Sequence, residues 1–123
     1  MYVIDTAFSN RLGFHFSENR GRILENIVFV ELLRRKKSAY YYSGKQECDF
    51  LIKDGLHVSE AIQVVWTLDK QNLDREYGGL REAMECYELK KGLIITAGTE
   101  IPEDINDDSI RIMPIWEWLM MSQ

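Results

Sequence analysis

Glu47-Cys48-Asp49-Phe50-Leu51-Ile52-Lys53, closed by Asp54-Gly55 and followed by Ala61-Ile62-Gln63-Val64-Val65-Trp66, decides the fold. Asp-Gly between two β-rich runs is a strong hairpin signal, so 47–53 and 56–68 read as consecutive antiparallel strands. Side chains alternate along a strand, which puts Asp49, Leu51 and Lys53 on one side and Cys48, Phe50 and Ile52 on the other. On the next strand Gln63 and Val65 share a side, opposite Ile62, Val64 and Trp66. Its unbroken apolar run marks a central strand, with Ser59-Glu60 as the place for a bulge.

Working outward, Tyr40, Tyr41 and Tyr42 give a third strand over 39–43, ended by Gly44-Lys45-Gln46. Alternating strand positions make these tyrosines core residues before they make them base-stacking ones. Upstream, 22–37 reads as a helix. Ile23, Leu24, Ile27, Val28, Phe29, Val30, Leu32 and Leu33 cover nearly its whole circumference, so it is expected to be buried on more than one side. Glu31 and Arg35 form a favourable i,i+4 pair on its polar remainder. Downstream, Leu73, Tyr77, Leu80, Met84 and Tyr87 form a one-sided stripe on a second helix over 72–90. Gly78-Gly79 weakens that helix, since a glycine costs up to about 1 kcal/mol in a helix interior. A short strand over 93–96, an acidic loop over 98–109, a last strand over 110–113 and a turn around Trp116 and Trp118 complete the chain. The order α-β-β-β-α-β plus a C-terminal strand predicts an α/β fold with a mixed central sheet and helices on both faces.

With 123 residues, 46% of them hydrophobic and 28% charged, the chain reads as one globular domain over 1–123. No apolar run approaches the ~20 residues that span a bilayer, and the start lacks a secretory pattern. Cys48 and Cys86 are too few for a disulfide framework or a zinc cluster, so a cytoplasmic location is expected. The net charge of −5 is uneven: residues 1–46 carry eight Lys and Arg against four Asp and Glu, and residues 47–123 carry seven against sixteen. Arg20, Arg22, Arg34, Arg35, Lys36 and Lys37 surround one helix and could meet phosphates. The alternative for the last four is a solvated helix end, where cations complement the macrodipole.

Glu25 shares a helix face with Val28, Phe29 and Leu32, where a carboxylate is out of place unless paired, hydrogen-bonded or metal-bound. It could cap a backbone amide, meet Arg22, or join Asp49 and Gln63 in a site. His15 and His57 are solitary and have no ligand-like spacing. Trp116 and Trp118 are expected to close the C-terminal edge, or to form an apolar contact with another segment or a second copy.

The stretch from Gly21 to Leu32, then Glu47-Cys48-Asp49-Phe50, Ile62-Gln63-Val64, Asp74-Arg75-Glu76, Gly92-Leu93-Ile94-Ile95-Thr96 and Ile112-Met113-Pro114-Ile115-Trp116-Glu117-Trp118-Leu119, resembles a prokaryotic family in order and spacing. Its members join an AAA-type ATPase to a C-terminal PD-(D/E)XK nuclease-like domain. Tyr2-Val3-Ile4-Asp5-Thr6-Ala7 resembles the lead-in to that domain, with Ala7 where a Gly is usual. The resemblance implies a restriction-endonuclease-like αβα sandwich, the C-terminal part of a longer ATPase. It implies Glu25, Asp49 and Gln63 at the positions of a Mg²⁺-binding nuclease site, with Gln63 replacing a Glu and Val65 replacing a Lys. The expected site is therefore degenerate and lacks its cation, and its Mg²⁺ affinity is weakened. Lys53 and Lys36 are the candidate displaced lysines. The chain has no Gly-x-x-x-x-Gly-Lys-Ser/Thr motif, so ATP is expected only in a missing N-terminal ATPase region. That region is the first expected partner, with DNA and a second copy as further ones and no membrane. The function implied is a non-catalytic contact module, with a weak Mg²⁺-dependent DNA endonuclease as the alternative.

Overall fold

The computed structural model describes residues 16–98 and 108–121, with side chains described from Arg20 onward. The expected lead-in, His15 and most of the acidic loop lie outside the described residues. The elements are α1 (Phe16–Arg34), β1 (Ser38–Ser43), β2 (Glu47–Asp54), β3 (His57–Val65), α2 (Leu73–Cys86), β4 (Gly92–Thr96), β5 (Ile110–Pro114) and α3 (Ile115–Met120). They build a five-stranded mixed sheet in the spatial order β1-β2-β3-β4-β5. The pairs β1–β2 and β2–β3 are antiparallel, and β3–β4 and β4–β5 are parallel. The α2 crossover supplies the length that a parallel β3–β4 pair requires.

Alternation on β3 splits the core as its sequence implies. Ala61 and Val65 join Leu51, Tyr77, Leu80, Ala83 and Ile94 under α2. Ile62 and Val64 join Leu24, Val28, Leu32, Ile95, Met113 and Trp118 under α1 and α3. Fully burying a side chain of this size stabilises by about 1.5–3 kcal/mol, which outweighs the weak helix propensity of the glycine pair in α2. Gly79 has a further reason to be there: a Cβ at this position would collide with the Glu47 carbonyl oxygen. The missing side chain lets α2 press onto the start of β2.

Both long helices stop earlier than their apolar patterns. Lys36 and Glu88 adopt left-handed φ values of 62° and 55°. Lys37 N–H donates to Leu32 O, and Leu89 N–H donates to Met84 O, each closing a Schellman-type end. Neither position carries the glycine that usually announces such a stop, so the expected ends at 37 and 90 ran too far. At the other end α1 begins at Phe16 and runs through Gly21. The hairpin forms as expected, with Asp54 opposite His57 and Gly55 at φ 68°.

Two burial expectations are corrected. Helix α1 buries only the Leu24, Val28 and Leu32 face, leaving Ile23, Ile27, Val30 and Leu33 between 40% and 55% exposed. Sheet and helix meet along one stripe, and no described element covers the other. Tyr40 and Tyr41 are exposed because β1 is an edge strand, and only Tyr42 packs inward. Trp118 is buried under α1, whereas Trp116 is exposed.

Candidate functional site

The site begins with an irregularity in β2. Tyr40 lies opposite Leu51 and Tyr42 opposite Cys48, so β2 spends three steps where β1 spends two. This bulge resets the alternation. Cys48 packs with Leu51 under α2, and Phe50 with Ile52 under α1, which overturns the expected grouping of Cys48 with Phe50 and Ile52. Bulges re-aim side chains next to functional sites, and Asp49 is the residue re-aimed here.

Beyond the Phe50–Ile62 pair, side chains replace the β2–β3 ladder. Asp49 N–H donates to Gln63 Oε1 at 2.8 Å, and Val64 N–H donates to Asp49 Oδ2 at 2.8 Å. Gln63 Nε2 donates to Glu47 O at 3.0 Å and to Glu76 O at 3.2 Å. The 3% exposed Gln63 therefore staples β2, β3 and α2 through one amide group. The strands part around these bonds, and a cleft of about 900 Å³ opens there.

Glu25, Asp49 and Gln63 all line this cleft, Glu25 from α1 and Gln63 from the α2 side of the sheet, with Asp49 between them. Burial pushes the Asp49 carboxyl well above the usual carboxylate range, and the nearby Glu25 adds to the shift. Val64 N–H opposes it, while Glu76 and Glu47 raise it further. Glu76 is raised by burial too, partly offset by Arg75, whose Nη2 lies 3.2 Å from Glu76 Oε2. Among the described residues, no three His, Cys, Asp or Glu side chains come together closely enough to hold a metal ion. The Gln63 amide and one Asp49 oxygen are already committed to backbone groups. The donor set therefore does not fit Mg²⁺.

The cleft is not without cations. Val65 faces the core under α2, but Arg20, Arg22, Lys45 and Arg75 line the walls. Arg22 is 6% exposed, and the Arg20 guanidinium lies 5.8 Å from the centre of the Trp66 ring. Lys53 instead sits 4.9 Å from the Tyr40 ring, and Lys36 lies past the C-terminal end of α1, beyond Arg34. Neither of these lines the cleft.

The six basic residues thus divide between the two ends of α1. Arg34 and Arg35 are bound to Glu31 at 2.6 Å and 2.7 Å, the second pair as its spacing implied. These two guanidinium groups hold the Glu31 carboxyl down at about 2. Arg35 also donates to Trp118 O at 2.9 Å and lies 4.4 Å from the Trp118 ring, tying α3 to α1. Glu76 was not foreseen as part of the site. Its one signal was position: it lies one turn before Leu80 in α2, beside the buried stripe. Arg22, a candidate both for phosphate contact and for meeting Glu25, lines the cleft with Glu25, as their i,i+3 spacing on one helix face allows.

Cys48 is buried, Cys86 is exposed, and both are free thiols. Burial pushes the Cys48 thiol up to about 12, so it is inert. No helix among the described residues is long and apolar enough to cross a membrane. His57 is exposed at the strand end.

Residues 20–118 match the family described as Domain of unknown function (DUF4143), and the chain belongs to that family. The "Uncharacterized protein MJ1544" of Methanocaldococcus jannaschii is 38% identical over 129 residues, covering 96% of this chain and 28% of the relative. The chain thus spans less than a third of that relative's length. No solved structure matches.

Proposed function

We propose that this DUF4143 chain is a PD-(D/E)XK nuclease-like module that has lost its chemistry and serves as a contact module of an ATP-binding protein. The order and spacing of its motifs support the nuclease-like descent, as does an element order of α-β-β-β-α-β around a mixed sheet. The resemblance also places the module at the C-terminal end of a longer ATPase, a reading compatible with the greater length of the relative.

One observation carries the loss of chemistry: Gln63 uses both of its N–H donors on the carbonyls of Glu47 and Glu76. A carboxylate has no donor to give, so this position is fitted to an amide and not to a metal ligand. Val65 supplies neither a proton acceptor nor a cation, and losing such a group costs on the order of 10²–10⁴-fold in rate. Protein contacts fit better than nucleic acid, because Arg34 and Arg35 are engaged by Glu31 while α1 leaves an apolar stripe exposed.

The second reading, a weak Mg²⁺-dependent DNA endonuclease, rests on Arg22 and Lys45 lining the same cleft as Asp49 and Glu25. A cleavage assay on plasmid and oligonucleotide DNA with Mg²⁺ or Mn²⁺ separates the two. The degenerate module leaves the DNA intact, and Asp49→Ala gives the same result. Cleavage that disappears in Asp49→Ala but persists in a surface control such as Lys90→Ala overturns it.

A further inference from the structure

We propose that the tip of the β1–β2 hairpin, residues 43–47, is a flap on the cleft, hinged at the bulge between the two strands and latched shut by Glu82 of α2. This device is independent of whether the cleft acts on nucleic acid.

The sheet itself holds the tip weakly. β1 and β2 change register between Tyr40 and Tyr42, which marks the hinge. Among the described residues, β2 pairs with β3 only from Phe50 onward, so the tip has its own hairpin partner and no other strand. Gly44, Lys45, Gln46 and Glu47 are all exposed. A two-stranded end of this kind is marginal in water, so contacts from outside the hairpin must keep it in place.

One carboxylate supplies three of them. Tyr42 O–H and Lys45 N–H donate to Glu82 Oε2 at 2.7 Å and 2.8 Å, and Gln46 N–H donates to Glu82 Oε1 at 3.0 Å. The Tyr42 hydroxyl does most to hold the Glu82 carboxyl below its ordinary value, so the acceptor is ionised at neutral pH. Hydrogen bonds to an ionised acceptor are about twice as strong as neutral ones. The turn is also shaped for this carboxylate, because a Cβ at Gly44 would collide with Glu82 Oε2 and the Tyr42 hydroxyl. Glu82 itself does not line the cleft, whereas Lys45, Gln46 and Glu47 do. A residue outside the cleft thus sets the position of one of its walls. On the inner side, Gln63 Nε2 donates to Glu47 O while Gln63 Oε1 accepts from Asp49 N–H. Lifting the tip withdraws the Glu47 carbonyl, frees the Gln63 amide and uncovers Asp49 N–H.

Residue-resolved hydrogen exchange by NMR on the full chain at neutral pH tests the latch. Glu82→Ala is expected to speed exchange at Asp49 N–H, which does not touch Glu82, by about tenfold or more. Leu51, Ile62 and Ile94 should exchange as in the wild type, and Glu85→Ala, exposed on the same helix, should change none of them. Should Glu82→Ala fail to fold, Tyr42→Phe removes one bond, keeps the ring beside Tyr87 and is expected to speed Asp49 exchange by about threefold. Faster exchange confined to Lys45 and Gln46 overturns the proposal, since the carboxylate would then only cap a turn. Equal acceleration at Asp49, Ile62 and Ile94 overturns it too, because Glu82 would then support the whole fold.

Discussion

Gln63→Glu introduces the carboxylate that the proposed nuclease-like descent implies at this position, and the hydrogen bonds of Gln63 predict that it destabilises the chain without bringing activity. The wild-type amide donates to two buried carbonyls and accepts from Asp49 N–H. An ionised glutamate keeps only the acceptance and turns an oxygen toward two other oxygens. Two lost hydrogen bonds at about 1 kcal/mol each, plus a new charge in the cleft of Asp49, Glu25 and Glu76, give a loss of about 3 kcal/mol at neutral pH. For a domain of this size that lowers Tm by roughly 10 °C. A protonated glutamate regains one donor, so folding raises the pKa of the introduced group above its unfolded value of about 4.3. The folded state then binds more protons than the unfolded state, and the deficit grows as pH rises from there. Urea unfolding followed by tryptophan fluorescence at about pH 4.5 and about pH 7.5 measures both magnitude and sign. Wild-type stability in the variant, a deficit that grows toward acid, or a deficit removed by Mg²⁺ would each refute the reasoning.

Other perturbations probe the same frame. Asp49 has a raised pKa from burial and from Glu25, so its ionised form weighs against folding above the unfolded value of about 3.9. Asp49→Asn keeps an acceptor for Val64 N–H and is expected to match or exceed wild-type stability at neutral pH, an advantage that disappears in acid; a loss above about 1 kcal/mol at neutral pH in denaturant titration would contradict this. Gly79→Ala drives a methyl into the Glu47 carbonyl and is expected to cost about 2–3 kcal/mol. Gly78→Ala meets only the end of the Gln46 side chain and should be neutral or gain up to about 1 kcal/mol, so equal Tm values for the two would undermine the close approach of α2 to β2. Arg35→Ala removes the bond to Trp118 O and the cation over its ring, and should red-shift tryptophan emission at a cost of about 1–2 kcal/mol. Arg34→Ala, exposed on the helix surface, should change stability by less than about 0.5 kcal/mol in the same titration.

Element order, the Asp54-Gly55 hairpin, the bulge near Ser59 and the faces of β3 were legible because each rests on local chemistry. A turn dipeptide, an alternation or a helical stripe can be read within a short window. The bulge in β2 was not legible: no residue type marks it, and only the register against β1 shows that Cys48 and Phe50 lie on opposite faces. The helix ends failed for a related reason, since Lys36 and Glu88 take a conformation usually left to glycine. Glu25 stood out as a carboxylate on an apolar helix face, whereas Asp49 and Gln63 were singled out through the family resemblance. What sequence could not convey was that Gln63 hydrogen-bonds three backbone groups, or that Arg22 lines the cleft. Both depend on distances between elements far apart along the chain. The exposed stripe on α1 was read as core because composition records only that a helix is apolar all round, not what covers it.

Anomalous diffraction from crystals of the chain soaked in Mn²⁺ tests the proposed loss of the metal site most directly. The account predicts no ion between Glu25, Asp49 and Gln63, with the Gln63 amide still donating to the Glu47 and Glu76 carbonyls. A manganese peak coordinated by Asp49 and the Gln63 amide oxygen would contradict it.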